Sequence, residues 1–241
     1  MFEYERTDER LTLRRPGTRW LSNGFDGGYA TAPTAHNLTV PEGFERTDLA
    51  AYAAERLGSP PEGPTLLTGV RQTDARGARY GPVEAVVTAG LSNPAMLPAS
   101  AVSGGSDDRT GDAASGECGD ALPDDAFRPG TVNVLVGSSE PLSEGGLAGL
   151  LATVVEAKTA TLVGLAGPTG TTSDAVAVGC PSAGAGAAFA GSATAVGNAA
   201  RVCVRDALAA ALAARYDGDP PDPRGAEHAT VTSGEATLFT P

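Results

Sequence analysis

The sequence predicts a layered α/β or α+β fold, a single domain whose mixed β-sheet is packed by two long helices from the C-terminal half. Three observations carry this. The first half reads as strands joined by Gly, Pro and Asn turns, two apolar strands follow at Thr131–Val136 and Ala175–Val178, and a long segment of helical period comes after each. With 41% hydrophobic and 19% charged residues in 241, the chain is neither fibrous nor wholly disordered, and it can bury a sizeable core.

The elements follow in order. Leu11-Thr12-Leu13 and Arg19-Trp20-Leu21 alternate in strand fashion, and Asn23-Gly24 with Gly27-Gly28 predicts a tight turn into a further strand. Leu49, Tyr52, Ala53 and Leu57 have helical spacing, with Thr47 or Asp48 as N-cap and Gly58 as terminator. Pro60, Pro61 and Pro64 force a loop, after which Leu66–Val70 and Val83–Ala89 read as strands, the second stopping at Gly90 before Asn93-Pro94.

A helix is predicted from Ser143 to Leu165. Counting about 100° per residue from Leu147, Lys158 falls within the stripe of Leu150, Leu151, Val154, Leu162 and Leu165, and Glu156 falls opposite it among Ala152, Ala160 and Val163. The run Gly167–Asp174 is a loop rich in glycine and hydroxyls leading into the strand Ala175–Val178, and a Gly and Ala-rich loop spans 179 to 191. Val196, Ala200, Cys203, Ala207 and Ala211 mark a last helix, Ser192 to Ala214. No internal repeat of solenoid period is found.

Charge narrows the function. Seventeen basic residues face 29 acids, for a formal net charge of -12, and Lys158 is the sole lysine. A chain without clustered Lys and Arg repels nucleic-acid phosphates and anionic lipid, so neither nucleic acid nor membrane is expected as a partner. Abundant acid with Arg in place of Lys predicts a halophilic host. Residues 103–126 hold seven acids against Arg109, and residues 217–241 hold five against Arg224. The first stretch is expected to be a flexible insertion that interrupts a single catalytic domain of residues 1–216, and the second an acidic C-terminal tail that follows it. The charged start and the lack of an unbroken apolar run of about 18 residues predict a cytoplasmic protein without signal peptide or membrane span.

Cys118, Cys180 and Cys203 are widely spaced, and an odd count favours reduced thiols. His36 and His228 are the only histidines, which rules out HExxH and Cys/His zinc patterns, and no metal site is expected. No GxSxG elbow, GK[ST] P-loop or complete GxGxxG is present. What stands out is the lone Lys158 in an apolar stripe, a place where a compact ammonium does what guanidinium cannot. Snorkelling or a structural ion pair is the alternative reading. Glu156 is a candidate general base or substrate anchor. Thr169–Asp174 offers hydroxyls, a carboxylate and backbone N–H groups for an oxyanion, or else forms a polar turn. Asn93 is a turn former whose amide can also bind substrate.

Taken as an ordered set, several runs resemble the adenosylcobinamide amidohydrolases of cobalamin salvage. They are Asn23–Gly28, Val87–Pro94, Gly130–Val134, Glu156–Ala160, Thr169-Gly170-Thr171 with Asp174, and Gly191–Gly197, spanning residues 20 to about 210. The resemblance implies hydrolysis of the amide between a corrin side chain and aminopropanol, giving adenosylcobyric acid. It implies Glu156, Lys158 and Asp174 as catalytic residues, and Asn23, Gly24, Gly27, Gly28, Thr88, Asn93, Thr171, Thr172, Ser173 and Thr194 as substrate-binding residues. The partner is a corrinoid small molecule whose cobalt belongs to the substrate, no protein cofactor is implied, and a homo-oligomer is left open. Val155 stands where the resembling run has a hydroxyl, and Thr172-Ser173 where it has Gly-Thr. The rival classes are a non-catalytic corrinoid-binding protein and a phosphate-handling enzyme.

Overall fold

A computed structural model describes residues 1–98, 130–226, 228–232 and 236–240. The expected insertion at 103–126, with Cys118, lies outside the described residues. The strands are β1 (Glu3–Arg6), β2 (Arg10–Ser22), β3 (Gly28–Thr39), β4 (Thr65–Thr68), β5 (Arg76–Tyr80), β6 (Val83–Ala89), β7 (Pro94–Met96), β8 (Val132–Ser138), β9 (Gly170–Thr171), β10 (Ala175–Pro181) and β11 (Thr230–Val231). The helices are α1 (Leu49–Leu57), α2 (Glu144–Leu165) and α3 (Ala195–Tyr216).

The main sheet runs β4-β3-β2-β10-β8-β6-β5, and β1 pairs with β2 off that path. It is mixed: β8 and β10 are parallel, joined through α2, and β3 and β4 are parallel, while the other pairs are antiparallel. β2 pairs with β1 over Leu11–Arg14 and with β10 over Thr18–Ser22. Between the two lies a bulge at Arg14–Thr18, with Gly17 at φ 68. A bulge bends its strand, and here it lets the β2–β3–β4 wing fold back across the sheet.

Alternation then sorts two cores. Val83, Ala85, Val87, Val132, Val134, Val136, Val176 and Val178 face α2 and α3, where Leu147, Leu150, Val154, Leu162, Val204 and Leu208 meet them. The opposite parity, Val86, Leu135, Ala175 and Ala177, meets Leu11, Leu13, Trp20, Ala35 and Leu66 of the folded-back wing. Burial on both faces explains why β6, β8 and β10 read as nearly unbroken apolar runs. Phe2 stacks on Trp20 with centroids 5.2 Å apart. Gly137 makes room for it, since a Cβ there would lie 2.0 Å from the Phe2 ring.

The two long helices form where expected. Ser143 caps α2, its side chain accepting from the Gly146 N–H at 3.0 Å. α2 is long and apolar enough to cross a membrane by length and composition, although Glu156 and Lys158 break its apolar run. In this fold it is a core helix, with its stripe on the sheet. α3 begins later than predicted, at Ala195, because the Thr194 side chain accepts from Gly197 N–H and so sets the cap there. α1 ends at Gly58, φ 78, as its sequence suggests.

Other elements depart from expectation. Asn23-Gly24 is not a two-residue turn. Asn23 continues the β2–β10 pairing, its N–H donating to Val176 O at 3.1 Å and its Oδ1 accepting from Val176 N–H at 2.7 Å, so the chain reverses only over the residues up to Gly28. β5 was not anticipated, because Arg-Gly-Ala-Arg-Tyr is a solvent-facing edge strand without apolar alternation. Nor was the small sheet β11-β7-β9, in which Thr230–Val231 of the acidic C-terminal segment pairs with Ala95–Met96.

Candidate active site

β8 and β10 begin, and β6 and β2 end, at the same edge of the sheet. Their connections therefore converge there: Asn23 after β2, Gly90–Asn93 after β6, Gly130–Thr131 before β8 and Thr171–Asp174 before β10. β9 pairs with β7, Pro94 opposite Thr171, and Thr172 N–H donates to Asn93 O at 3.2 Å, which ties two of these loops together. Gly130 passes so close that a Cβ would lie 2.5 Å from both Ser92 N and Asn93 N, which is why only glycine serves at that position.

Asp174 is the hub. Its carboxylate accepts from Val132 N–H at 2.9 Å, from Thr171 N–H at 3.1 Å and from the Thr171 hydroxyl, and it forms an ion pair with Lys158 of α2. Lys158 and Asp174 are nearly enclosed, at 7% and 11% side-chain exposure. Gly170 makes the pair possible, since a Cβ there would stand 2.7 Å from Asp174 Oδ2 and 3.1 Å from Lys158 Nζ. One carboxylate thus fastens α2, β8, β9 and β10 at a single point, and the half-buried Ser173 next to it lies with its Oγ 2.7 Å from Thr131 Oγ1.

A second polar group fills the wing side of the same edge. Asn133 Nδ2 donates to Asn37 Oδ1 at 2.8 Å and to Leu67 O at 2.9 Å, and Asn37 Nδ2 donates to Thr88 Oγ1 at 2.9 Å and Gln72 Oε1 at 3.3 Å. All four side chains are buried. The amide of Asn133 cannot be turned over, because its oxygen would then face two acceptors. Its Oδ1 is left buried without a hydrogen bond.

Of the expected site residues, the fold brings together Asn23, Asn93, Lys158, Thr171, Thr172, Ser173 and Asp174, with Thr88 in the buried amide network behind them. Gly24 sits beside Leu66 and Thr65 near the same edge. Gly27 and Gly28 shape the chain reversal: a Cβ on Gly27 would strike Ser22 O at 2.5 Å, and Gly28 has φ 105. Two residues are not brought there. Glu156 is 62% exposed and ion-paired with Arg201 of α3, on the far side of α2 from Lys158. The small neighbours Ala152, Ala160 and Val163 are exposed as well, so this side of α2 is a solvent face and the carboxylate stands in water. Thr194 caps the start of α3, whose other end meets the site edge where Leu91 N–H donates to Tyr216 Oη. Twenty-two helical residues, about 30 Å, separate the two ends.

Sequence reasoning missed Thr131, Asn37, Gln72, Asn133, Gly130 and Gly170 as members of the site. An Asn inside an apolar strand, as at Asn133, is the signal that was there to read. Among the described residues no group of three His, Cys, Asp or Glu side chains stands together. Cys180 and Cys203 lie in the helix-side core, where burial pushes both thiols up, Cys203 to about 11, so neither offers a thiolate.

A family model described as adenosylcobinamide amidohydrolase matches residues 3–220, which includes every residue of this site. The chain belongs to the adenosylcobinamide amidohydrolase family. It is also 43% identical over 248 aligned positions to the adenosylcobinamide amidohydrolase of Halobacterium salinarum, an alignment that covers 100% of both chains. The amidohydrolase family match stops short of β11, and a relative from a halobacterium agrees with the acidic, lysine-poor composition.

Proposed function

We propose that the chain is a hydrolase that cleaves the amide joining a corrin side chain to aminopropanol in adenosylcobinamide. Water adds to the carbonyl carbon, the C–N bond breaks, aminopropanol departs as the amine with a proton, and adenosylcobyric acid remains for cobalamin salvage. The observation that carries this reading is the match to an adenosylcobinamide amidohydrolase at 43% identity along 100% of both chains.

The geometry supports a division of labour. With four donors already on Asp174, its role in this reading is to position the Thr171–Ser173 loop. The Lys158 ammonium adds fixed positive charge behind that loop, where a carbonyl oxygen gathers negative charge in the transition state. The exposed Thr172 hydroxyl and the half-buried Ser173 hydroxyl are the groups that meet substrate, and Asn23 and Asn93 border them. Glu156 belongs to helix pairing. The reading assigns no resident metal or cofactor, the cobalt being part of the substrate, and places the enzyme in the cytoplasm of a halophile, acting on a small corrinoid.

Mass spectrometry of aminopropanol released from adenosylcobinamide, in high salt with a chelator present, tests this. Release is the expected result. Tight corrinoid binding without turnover would instead make the chain a corrinoid-binding protein.

A further inference from the structure

β2 and β3 carry another polar cluster on the face turned away from the amide network. Arg10, Thr12 and Arg14 share that face of β2, and the register sets His36 opposite Thr12 and Thr34 opposite Arg14. The chain leaving α1 walls the other side, enclosing a cavity of about 340 Å³.

The donors in this cavity are only partly matched. His36 is about nine-tenths buried; its Nδ1 lies 3.0 Å from Thr12 Oγ1, and its Nε2 has no hydrogen bond among the described residues. Arg10 gives one Nη to Glu5 Oε1 at 2.9 Å, but its Nε is buried and unmatched. Arg14 makes no ion pair or hydrogen bond among the described residues. The lining carboxylates are Glu5, already engaged by Arg10, and Glu62, exposed in the covering loop. A buried donor without a partner is costly, and the Arg10 Nε, with the unbonded His36 Nε2 and the exposed, unpaired Arg14 guanidinium beside it on two neighbouring strands, asks for one acceptor-rich ligand.

We propose that this cavity binds a tetrahedral oxyanion, either inorganic phosphate or the phosphoryl group of a phosphomonoester, held by Arg10, Arg14 and His36. Guanidinium forks match phosphoryl oxygens. With the anion bound, Thr12 donates to Nδ1 and the imidazole takes the tautomer protonated on Nε2, which points a neutral N–H at the anion. Burial first, and then Arg10 and Arg14, hold the imidazole down at about 4, so it is uncharged near neutrality. His36 and Asn37 point to opposite faces of β3, so the cavity is separate from the amide network and the Asp174 hub.

The chain's two histidines, His36 and His228, allow a direct test. In the full chain with nitrogen-15 histidine at constant high salt, inorganic phosphate and then glycerol phosphate are titrated while the imidazole signals are followed. The expected result is a saturable shift of the His36 Nε2 signal with His228 unmoved, and an affinity at least about tenfold weaker in Arg14→Gln, one charged hydrogen bond lost. Saturation by inorganic phosphate alone assigns a free anion; saturation by both probes assigns a phosphoryl group on a larger ligand. Calorimetry on His36→Gln, with a similar loss expected, checks the result without the reporter. The proposal is overturned if neither probe saturates or if Arg14→Gln binds as the natural chain does.

Discussion

Lys158 on α2 and Asp174 at the head of β10 form an ion pair almost closed to solvent, and Gly170 is the residue whose missing side chain lets them meet. Removing one member of a buried pair leaves the other charged and unmatched, at a cost of about 3–5 kcal/mol. Lys158→Met is therefore expected to lose that much stability and at least about 10²-fold in turnover, the low end of what a positioned polar group contributes. Lys158→Met with Asp174→Asn regains a good part of the stability but not the turnover. Denaturant melts and aminopropanol release on these two variants and on Asp174→Asn alone check this, and additive stability losses would show that the pair is not coupled.

Gly170→Ala places a methyl against both charges. Overpacking of this kind costs about 1–3 kcal/mol, and turnover should fall with it. Gly164→Ala, on the same helix as Lys158 but with open space around it, is the control and should leave turnover unchanged and raise stability by about 0.5–1 kcal/mol. Equal behaviour of the two variants would refute the close-approach argument.

Glu156→Gln breaks an exposed pair with Arg201. Exposed pairs contribute about 0–1 kcal/mol, so stability should barely move, and turnover should stay within about threefold. A loss of two orders of magnitude in kcat would return Glu156 to the reaction centre.

Ser173→Ala and Thr131→Val divide the hydroxyl pair. Each removes one hydrogen bond worth about 1 kcal/mol. Ser173, half-buried at the loop, should also cost turnover by about tenfold or more, whereas the fully buried Thr131 should cost little beyond its effect on Ser173. Steady-state kinetics that rank them the other way would move the substrate contact off Ser173.

His36 predicts an acid limb in stability. Its folded value, about 4, lies below the ordinary 6.5, so between these pH values the unfolded chain binds more protons and acid favours unfolding. About 3 kcal/mol should drain away as pH falls from 6.5 to 4. His36→Gln should flatten that limb in urea melts across the range. An unchanged slope would mean that other groups produce it.

Much of the fold was readable before the structure. Apolar runs marked β6, β8 and β10 because those strands are buried on both faces, and Ser143 and Gly58 marked helix ends because caps act on adjacent residues. β5, β7, β9 and β11 were not readable. Edge and two-residue strands bury little, so their pairing is decided by partners far away in the chain. In the site, Lys158 stands out as the sole lysine and Asp174 as the carboxylate of a hydroxyl-rich loop, but their contact is not legible, since they lie sixteen positions apart across helix and loop.

By itself, then, the sequence determined the local and compositional facts: which segments are helical, where they stop, the acidic halophilic balance, and the ordered runs that mark the amidohydrolase family. Helical period also put Glu156 and Lys158 on opposite sides of α2. Only the tertiary structure decided which side meets Asp174 and which meets Arg201, because that depends on where α3 and β10 pack. It also placed Thr194 as the cap of α3, about 30 Å along that helix from the Leu91–Tyr216 contact. It decided, too, that Asn37, Thr88 and Asn133 share hydrogen bonds, and that Arg10, Arg14 and His36 surround one cavity. The bulge in β2 is the physical reason for the shared network: by folding the wing back over the sheet, it brings residues some hundred positions apart within hydrogen-bonding distance.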